Sequence, residues 1–166
     1  MERRSFLKQA GAGIAVGAAA APALASELPT IKWRLASSFP KTLDAIFGAS
    51  ETVAKHVAAA TGGKFQISLF AAGEIVPSPG VLDAVKDGTV ECGHTASYYF
   101  IGKDPTFAFD TAIPFGLNSR QHSAWQLSGG GLELLREFFK DYNIYSIPCG
   151  NTGTQMGGWF RKEIKT

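Results

Sequence analysis

Cysteine is scarce in this sequence: Cys92 and Cys149 are the only two in 166 residues. Two cysteines do not make a disulfide framework for a domain of this size. Both lie in runs that favour β-strands, where buried free thiols are common, and neither has a basic neighbour that would stabilise a thiolate. We therefore expect two small buried hydrophobic side chains, with a bridge as the alternative, and no nucleophile.

Net charge is also lacking once the N-terminus is set aside. The chain has 16 basic and 14 acidic residues, and Arg3, Arg4 and Lys8 against Glu2 account for that excess. A neutral body without a basic stripe lacks the electrostatic surface that nucleic-acid binding requires. Nucleic acid is therefore not an expected partner.

Metal and catalytic motifs are missing as well. The three histidines have no metal-ligand spacing, and there is no Gly-x-Ser-x-Gly or His-Glu-x-x-His motif. Gly129-Gly130-Gly131 is not followed by the Lys-Ser/Thr pair of a P-loop, so we interpret it as a break between helices. Ser37, Ser97 and Asp110 can be combined with His94 into a catalytic set only on paper. We expect no enzyme, and we expect His94 to be a hydrogen-bonded core histidine.

The first feature that is present is a targeting segment at residues 1–25. Arg3-Arg4 precede a Phe-Leu pair, a run rich in Ala and Gly follows, and Ala23-Leu24-Ala25 is a small-residue cleavage site. The run is short and weakly apolar for a membrane span. The paired arginines resemble the twin-arginine export signal, so we expect export to the periplasm. A basic N-terminus before a disordered tail is the alternative.

Hydrophobic periodicity beyond residue 30 predicts an α/β fold. Residues 31–36 and 65–70 alternate as strands do, and residues 41–61 between them have a helical period. A β-α-β unit implies a parallel pair of strands. Lys32 and Arg34 are expected to be solvated. The other predicted segments are a helix at 81–87, a strand at 90–96, an apolar segment at 108–115, helices from Asn118 or Ser119 to 127 and at 132–142, and a β-leaning run at 142–148.

Polar and aromatic residues gather where the predicted strands end. In open parallel sheets, ligands bind beyond the carboxyl ends of the strands, which predicts one shared site there. Tyr98 and Tyr99 point to opposite sides if their backbone is extended, so that one lines a cleft and the other packs. The segments at these ends are Ser37–Pro40, Gly73–Glu74, Ser97–Phe100 and the stretch that opens at Gly150.

The stretch from Cys149 to Phe160 combines four glycines with amides, hydroxyls and two aromatic rings. Glycine permits a positive φ and a close approach of the backbone to a ligand. This stretch can therefore bend tightly or place its own amides against a ligand. An ordinary surface turn is the alternative.

Together these motifs resemble the solute-binding proteins of TRAP transporters, the DctP family, and most closely the subgroup that binds 2-oxo acids. The resemblance covers nearly all of the chain beyond the targeting segment. It implies a type II periplasmic-binding-protein-like α/β fold, with a parallel or mixed sheet flanked by helices. The segments that carry it are Trp33–Pro40, Phe70–Pro77, Leu82–Glu91, Gly93–Tyr99 and Gly150–Phe160.

The resemblance also implies a division of the chain. Residues 1–25 would be the signal peptide, residues 26–148 the first solute-binding domain, and residues 149–166 a strand that crosses to a second domain. Such a protein captures a small organic acid in the periplasm and delivers it to the membrane permease subunits of a sodium-coupled TRAP transporter. A periplasmic ligand-sensing module or an enzyme on the same fold remains the alternative.

Five site residues follow from the resemblance. Gln155 matches a position that lines the cleft and helps to hold a sodium or calcium ion beside the ligand. Asn151, Tyr98, Tyr99 and Phe39 match positions in the cleft wall. Amide and phenol groups orient a carboxylate, whereas aromatic walls exclude water. No other cofactor is expected.

Members of that family are considerably longer than this sequence. The arginine that pairs with the ligand carboxylate comes after Lys165-Thr166 in their pattern, and Arg34, Arg120, Arg136 and Arg161 do not occupy its position. A planar guanidinium makes that contact strong and selective. We therefore expect an N-terminal fragment that by itself binds carboxylates weakly or not at all.

Overall fold

A computed structural model of the chain describes residues 29–111, 113–153 and 157–165. The chain divides after Thr30 into two units, and the fold described below belongs to the second, Ile31–Thr166. The predicted signal peptide at 1–25 and Gln155 lie outside the described residues. Within the described ranges, no helix combines the length and the apolarity that crossing a membrane requires.

The centre of the fold is a parallel sheet of three strands in the order β2-β1-β3. The strands are β1 (Ile31–Ser37), β2 (Phe65–Phe70) and β3 (Cys92–His94). β1 pairs with β2 along its length but with β3 only over its last three residues, where Ser37 lies opposite His94. The carboxyl ends of β1 and β3 therefore lie side by side, as the β-α-β pattern predicts.

The third strand is shorter than the predicted 90–96. The backbone N–H groups of Thr89 and Val90 both donate to the carbonyl of Ala84. This hydrogen bonding belongs to the turn that ends the preceding helix, so Val90 does not pair with β1. Thr95 is likewise left outside the strand and is free to use its side chain at the carboxyl end of the sheet.

Four α-helices accompany the sheet: α1 (Asp44–Ala60), α2 (Val81–Lys86), α3 (Ser119–Ser128) and α4 (Gly131–Lys140). α1 begins three residues later than predicted because Pro40–Leu43 forms a turn, closed by a 3.1 Å bond from Leu43 N to Pro40 O. Three short 3-10 helices connect these elements, at Ser78–Gly80, Ser97–Phe100 and Pro105–Asp110. The third of them covers the first three residues of the predicted apolar segment at 108–115.

The break between α3 and α4 lies at the predicted glycines. Asn118 caps α3 with a full capping box, in which its side chain accepts the N–H of Gln121 and the Gln121 side chain accepts the N–H of Asn118. Gly130 has a φ of 82°, a conformation that other residues adopt only with strain. The chain can therefore turn sharply here, and α4 starts in a new direction.

Two buried clusters stabilise this arrangement. The first is aliphatic and joins α2 to the sheet through residues that include Ala36, Val81 and Val90. The second is aromatic and centres on Phe107, which is fully buried. Its ring contacts Phe100 and, from α4, Phe138 and Phe139. The apolar face of α4 therefore packs against the 3-10 helices that follow β3.

One expectation about side chains is incomplete and one is wrong. Arg34 is not simply solvated, because its guanidinium pairs with both carboxylate oxygens of Glu91 at 2.7 and 3.1 Å. Cys149 is exposed, whereas Cys92 is partly buried, and both thiols are free. Burial, with Glu91 alongside, raises the pKa of Cys92 to about 11, which keeps this thiol protonated and unreactive.

The β-leaning run at 142–148 forms no strand. Its large residues Tyr145 and Ile147 are each 69% exposed. Strand propensity reflects packing on a pleated surface and becomes a strand only beside a neighbour. None of the three described strands pairs with this run, so its pattern does not produce a sheet.

Candidate functional site

Hydrogen bonds join the segments that follow all three strands. The Ser38 hydroxyl donates to Ser78 O at 3.0 Å, and Ser38 Oγ is hydrogen-bonded with Thr95 Oγ1 at 2.7 Å. Ser78 Oγ donates back to Ser38 O at 2.9 Å, and Ala72 N donates to Phe39 O at 3.1 Å. These bonds confirm that the ends of the strands meet at one place, which we call the strand-exit site.

Three aromatic rings lie side by side at this site. Phe39, 7% exposed, lies 6.2 Å from Tyr99 between ring centroids, and Tyr99 meets Tyr98 edge-on at 4.6 Å. Tyr98 and Tyr99 are 36% and 40% exposed. The structure therefore brings together three of the five predicted site residues, with a buried ring on one side and two accessible phenols on the other.

The backbone at Tyr98 and Tyr99 is not extended, so the condition under which the two side chains would point to opposite sides is not met. Both lie in the 3-10 helix Ser97–Phe100, whose tight winding replaces the alternation of an extended strand. Partial burial, together with hydrogen bonding and charge interaction with Tyr99, raises the pKa of Tyr98. The Tyr98 phenol is therefore neutral at ordinary pH and can donate a hydrogen bond to an anion.

His94 is the buried, hydrogen-bonded core histidine that the sequence predicts. Its Nδ1 lies 2.7 Å from Ser50 Oγ on α1, and its ring meets Phe39 edge-on at 5.0 Å. Burial lowers the pKa of His94, so the imidazole is neutral at ordinary pH. Since Ser50 is also buried, this pair ties α1 to β3 and supports the ring of Phe39.

An ion pair that the sequence did not indicate lies next to the site. Lys41 Nζ is 2.6 Å from Glu74 Oε1, and Glu74 Oε2 accepts the N–H of Ala71 at 2.8 Å. These bonds lower the pKa of Glu74. Lys41 follows β1 and Glu74 follows β2, so the pair links two strand exits and leaves no net charge there.

A second set of polar side chains contacts the segment that carries Tyr98, and the sequence did not indicate most of them. Thr111 Oγ1 is 2.6 Å from Ser97 Oγ and accepts the N–H of Tyr98 at 3.2 Å. Gln126, buried in α3, donates to Asp110 Oδ1 at 3.1 Å. Burial raises the pKa of Asp110, and bonds from Ser97 and Gln126 and the charge of His122 oppose that rise. Spacing along the chain gives no signal for such a group.

Asn151 is exposed, and its Oδ1 accepts the N–H of Gly153 at 3.0 Å, so the structure does not bring it into the aromatic group. Gln155 lies outside the described residues, and its role stays a prediction.

Among residues 29–111, 113–153 and 157–165, no three His, Cys, Asp or Glu side chains lie close enough to hold a metal ion. A shallow depression of about 290 Å³ near the end of α4 is lined by Lys140, Asn143, Ile144 and Tyr145, none of which belongs to the strand-exit site.

Two solved structures that are similar to this chain hold small acids. A TRAP transporter solute-binding protein from Bordetella bronchiseptica RB50 is 53% identical, with a TM-score of 0.79, and holds calcium and picolinate. A TRAP periplasmic solute-binding protein from Pseudoalteromonas atlantica T6c is 44% identical, with a TM-score of 0.76, and holds sodium and pyruvate. They match 84% and 82% of this chain, which spans 41% and 42% of theirs.

Sequence comparison gives the same relationship. A monocarboxylate 2-oxoacid-binding periplasmic protein from Nostoc sp. (strain PCC 7120) is 56% identical over 139 residues, which are 84% of this chain. The chain spans only 38% of that relative's length. The model of the bacterial extracellular solute-binding proteins, family 7 (DctP), matches residues 36–166. The chain therefore belongs to the DctP family of bacterial extracellular solute-binding proteins.

Proposed function

We propose that this chain contributes to an extracytoplasmic solute-binding subunit of a TRAP transporter, which captures a small 2-oxo acid or a similar carboxylate in the periplasm. The observation that carries the proposal is the pair of accessible tyrosines, Tyr98 and Tyr99, set beside buried Phe39 where the strands end. Relatives that share this fold hold pyruvate or picolinate, and both are small carboxylates that phenol donors beside an aromatic ring suit.

The chemistry of the site favours an anion of this size. A neutral phenol donates a hydrogen bond to a carboxylate oxygen, and an aromatic wall excludes water, so that each polar contact becomes stronger and more selective. Because Lys41 and Glu74 neutralise each other, the ion pair brings no net repulsion. Asn151 and Gln155 would add amide groups to the contacts with the ligand.

We also propose that a sodium or calcium ion binds together with the acid. Hard cations take oxygen ligands, and amide oxygens are acceptable among them. Gln155 offers such an oxygen, and the carboxylate and keto oxygens of a 2-oxo acid offer two more. Solved relatives hold sodium or calcium with pyruvate. The ion would orient the acid through its charge.

The remaining parts of the proposal concern partners and location. The bound acid would pass to TRAP permease subunits in the membrane, and residues 1–25 would direct export through the twin-arginine route. No catalysis is proposed, because the serine–histidine pair that the described residues show near the site, Ser50 and His94, is buried and supports packing. The relatives are likewise solute-binding proteins.

Calorimetric titration of the full-length gene product with pyruvate, in sodium and in calcium salts, tests the proposal. Binding should be tight for the wild type and weaker for Tyr98→Phe and Tyr99→Phe, since each change removes one phenol donor. Tyr145→Phe is the matched control, because this tyrosine is 69% exposed and lies outside the strand-exit site. Absence of binding in either salt, or equal loss in the control, would contradict the proposal.

A cellular measurement separates transport from the alternative of a sensing module. Uptake of labelled pyruvate should fall when the gene is deleted and recover when the wild type is restored. A sensor would bind the same acid but leave uptake unchanged. Hydrolysis or turnover of the bound acid by the purified protein would instead indicate an enzyme.

A further inference from the structure

The hydroxyl of Thr111 lies where two neighbouring 3-10 helices meet. Its Oγ1 accepts the backbone N–H of Tyr98 at 3.2 Å and lies 2.6 Å from Ser97 Oγ. Ser97 and Tyr98 open the 3-10 helix that presents both tyrosines, whereas Thr111 follows directly after the helix Pro105–Asp110. One side chain therefore joins the segment that carries the tyrosines to the segment that follows it.

The hydroxyls of Ser97 and Thr111 share one hydrogen bond, in which either can be the donor. In both arrangements Thr111 Oγ1 keeps a lone pair that can accept the Tyr98 N–H, because a hydroxyl has two acceptor lone pairs and one donor. Gln126 donates to Asp110 Oδ1 at 3.1 Å and so holds the residue that precedes Thr111.

We propose that Thr111 is a positioning residue for ligand binding, because its hydroxyl fixes the start of the Ser97–Phe100 helix and hence the orientation of the Tyr98 and Tyr99 rings. This inference rests on the proposed function, in which those two phenols contact the acid. Short 3-10 helices have poor hydrogen-bond geometry of their own, so an outside partner matters more here than in an α-helix. Without it, the rings sample more orientations, and binding must order them at a cost in affinity.

Substitutions at Thr111 separate the hydroxyl from the shape of the side chain. Thr111→Val keeps the branched shape and removes the hydroxyl, whereas Thr111→Ser keeps the hydroxyl and removes the methyl group. Thr52→Val is the control, because it also removes a threonine hydroxyl that bonds to the backbone, here by donating to the carbonyl of Gly48, but does so on an exposed part of α1. All three variants are made in the full-length gene product.

The first measurement is the affinity for pyruvate, by calorimetry in sodium and in calcium salts. Thr111→Val should weaken binding by about three- to tenfold, the effect of losing one hydrogen bond. Thr111→Ser and Thr52→Val should bind as the wild type does. Equal affinity in Thr111→Val and the wild type, or an equal loss in Thr111→Ser, would overturn the inference.

The second measurement needs no ligand. The rings of Tyr98 and Tyr99 are 4.6 Å apart, so their near-ultraviolet circular dichroism depends on how they are held. The spectrum should change in Thr111→Val and not in Thr111→Ser. If the wild type fails to bind pyruvate, the proposed function is wrong. The positioning role of Thr111 is rejected separately, by a circular dichroism spectrum of Thr111→Val that equals that of the wild type.

A variant at Ser97 covers the case in which Thr111→Val does not fold. Ser97→Ala leaves the bond from Tyr98 to Thr111 but removes the partner that orients the Thr111 hydroxyl. It should alter the spectrum in the same direction and weaken binding by a smaller factor. Affinity and spectrum both equal to those of the wild type would count against the inference.

Discussion

Phe107 gives the sharpest test of how this fold is stabilised. Its side chain is fully buried, and its ring lies between 4.9 and 5.7 Å from the rings of Phe100, Phe138, Phe139 and Tyr142, measured between centroids. Replacing a buried phenylalanine by alanine costs about 3 to 5 kcal/mol through lost burial and the cavity left behind. Edge-on ring pairs add about 0.5 to 1.5 kcal/mol beyond burial. We therefore expect Phe107→Ala to lower the free energy of unfolding by about 4 kcal/mol.

That loss is a large part of the stability of an ordinary domain, about 5 to 15 kcal/mol. With a urea dependence of about 2 kcal/mol per molar, the unfolding midpoint should fall by about 2 M. The assay is urea unfolding followed by far-ultraviolet circular dichroism and by tryptophan fluorescence, since Trp125 packs against the same cluster. The slope of the transition should not change.

Phe109 provides the matched control, because it lies in the same 3-10 helix but is 52% exposed. Phe109→Ala should change the free energy of unfolding by at most about 0.5 kcal/mol, as exposed substitutions usually do. Similar losses in the two variants would mean that the aromatic cluster does not centre on Phe107. A loss below about 1 kcal/mol in Phe107→Ala would refute the estimate from burial.

Three further predictions follow from single contacts. A Cβ at position 93 would lie 2.7 Å from Val81 Cγ1, so Gly93→Ala should cost about 1 to 3 kcal/mol by overpacking, and an unchanged melting temperature would contradict this. Asn118→Ala should lose about 1 kcal/mol with the cap of α3, and Asn118→Asp should restore most of it in the same melting assay. Bonds from Arg34 lower the pKa of Glu91 from its ordinary value of 4.5 to about 2. The pair therefore stabilises the fold above pH 4.5, and this stabilisation is lost as the pH falls toward about 2. Glu91→Gln should make the free energy of unfolding depend less on pH between these two values. An unchanged pH dependence in this variant would show that the pair contributes nothing.

Local patterns predicted the elements that depend on local physics. The alternation at 31–36 and 65–70 and the helical period between them gave two strands and a helix, and chain connectivity then required the strands to be parallel. Asn118 and the glycines at 129–131 marked a helix start and a helix break that the structure confirms. Side-chain periodicity and capping act over a few residues, so they can be read directly from the sequence.

Predictions failed where a distant partner decided the outcome. Arg34 is paired because Glu91, 57 residues away, lies beside it. The run at 142–148 has strand-forming residues, yet it forms no strand because no described neighbour pairs with it. At Tyr98 and Tyr99 the reason is local instead: a 3-10 helix replaces the extended backbone, and the two rings contact each other.

The same division applies to the candidate site. Motif order identified Phe39, Tyr98 and Tyr99 as cleft residues, and their meeting at the strand exits agrees with the general position of sites in parallel sheets. Gln155 and the twin-arginine signal stay predictions, since they lie outside the described residues. Thr111, Ser50 and Gln126 had no signal in the sequence, because each acts through a contact with a residue far along the chain.

The sequence by itself determined the order of strands and helices, the parallel pairing and the family, since these follow from short-range periodicity and from motifs that are specific in combination. Only the tertiary structure decided which hydroxyls and rings surround the strand exits and how the two tyrosines are held. Hydrogen bonds and ring contacts act over a few ångströms in space, and distance along the chain does not specify them.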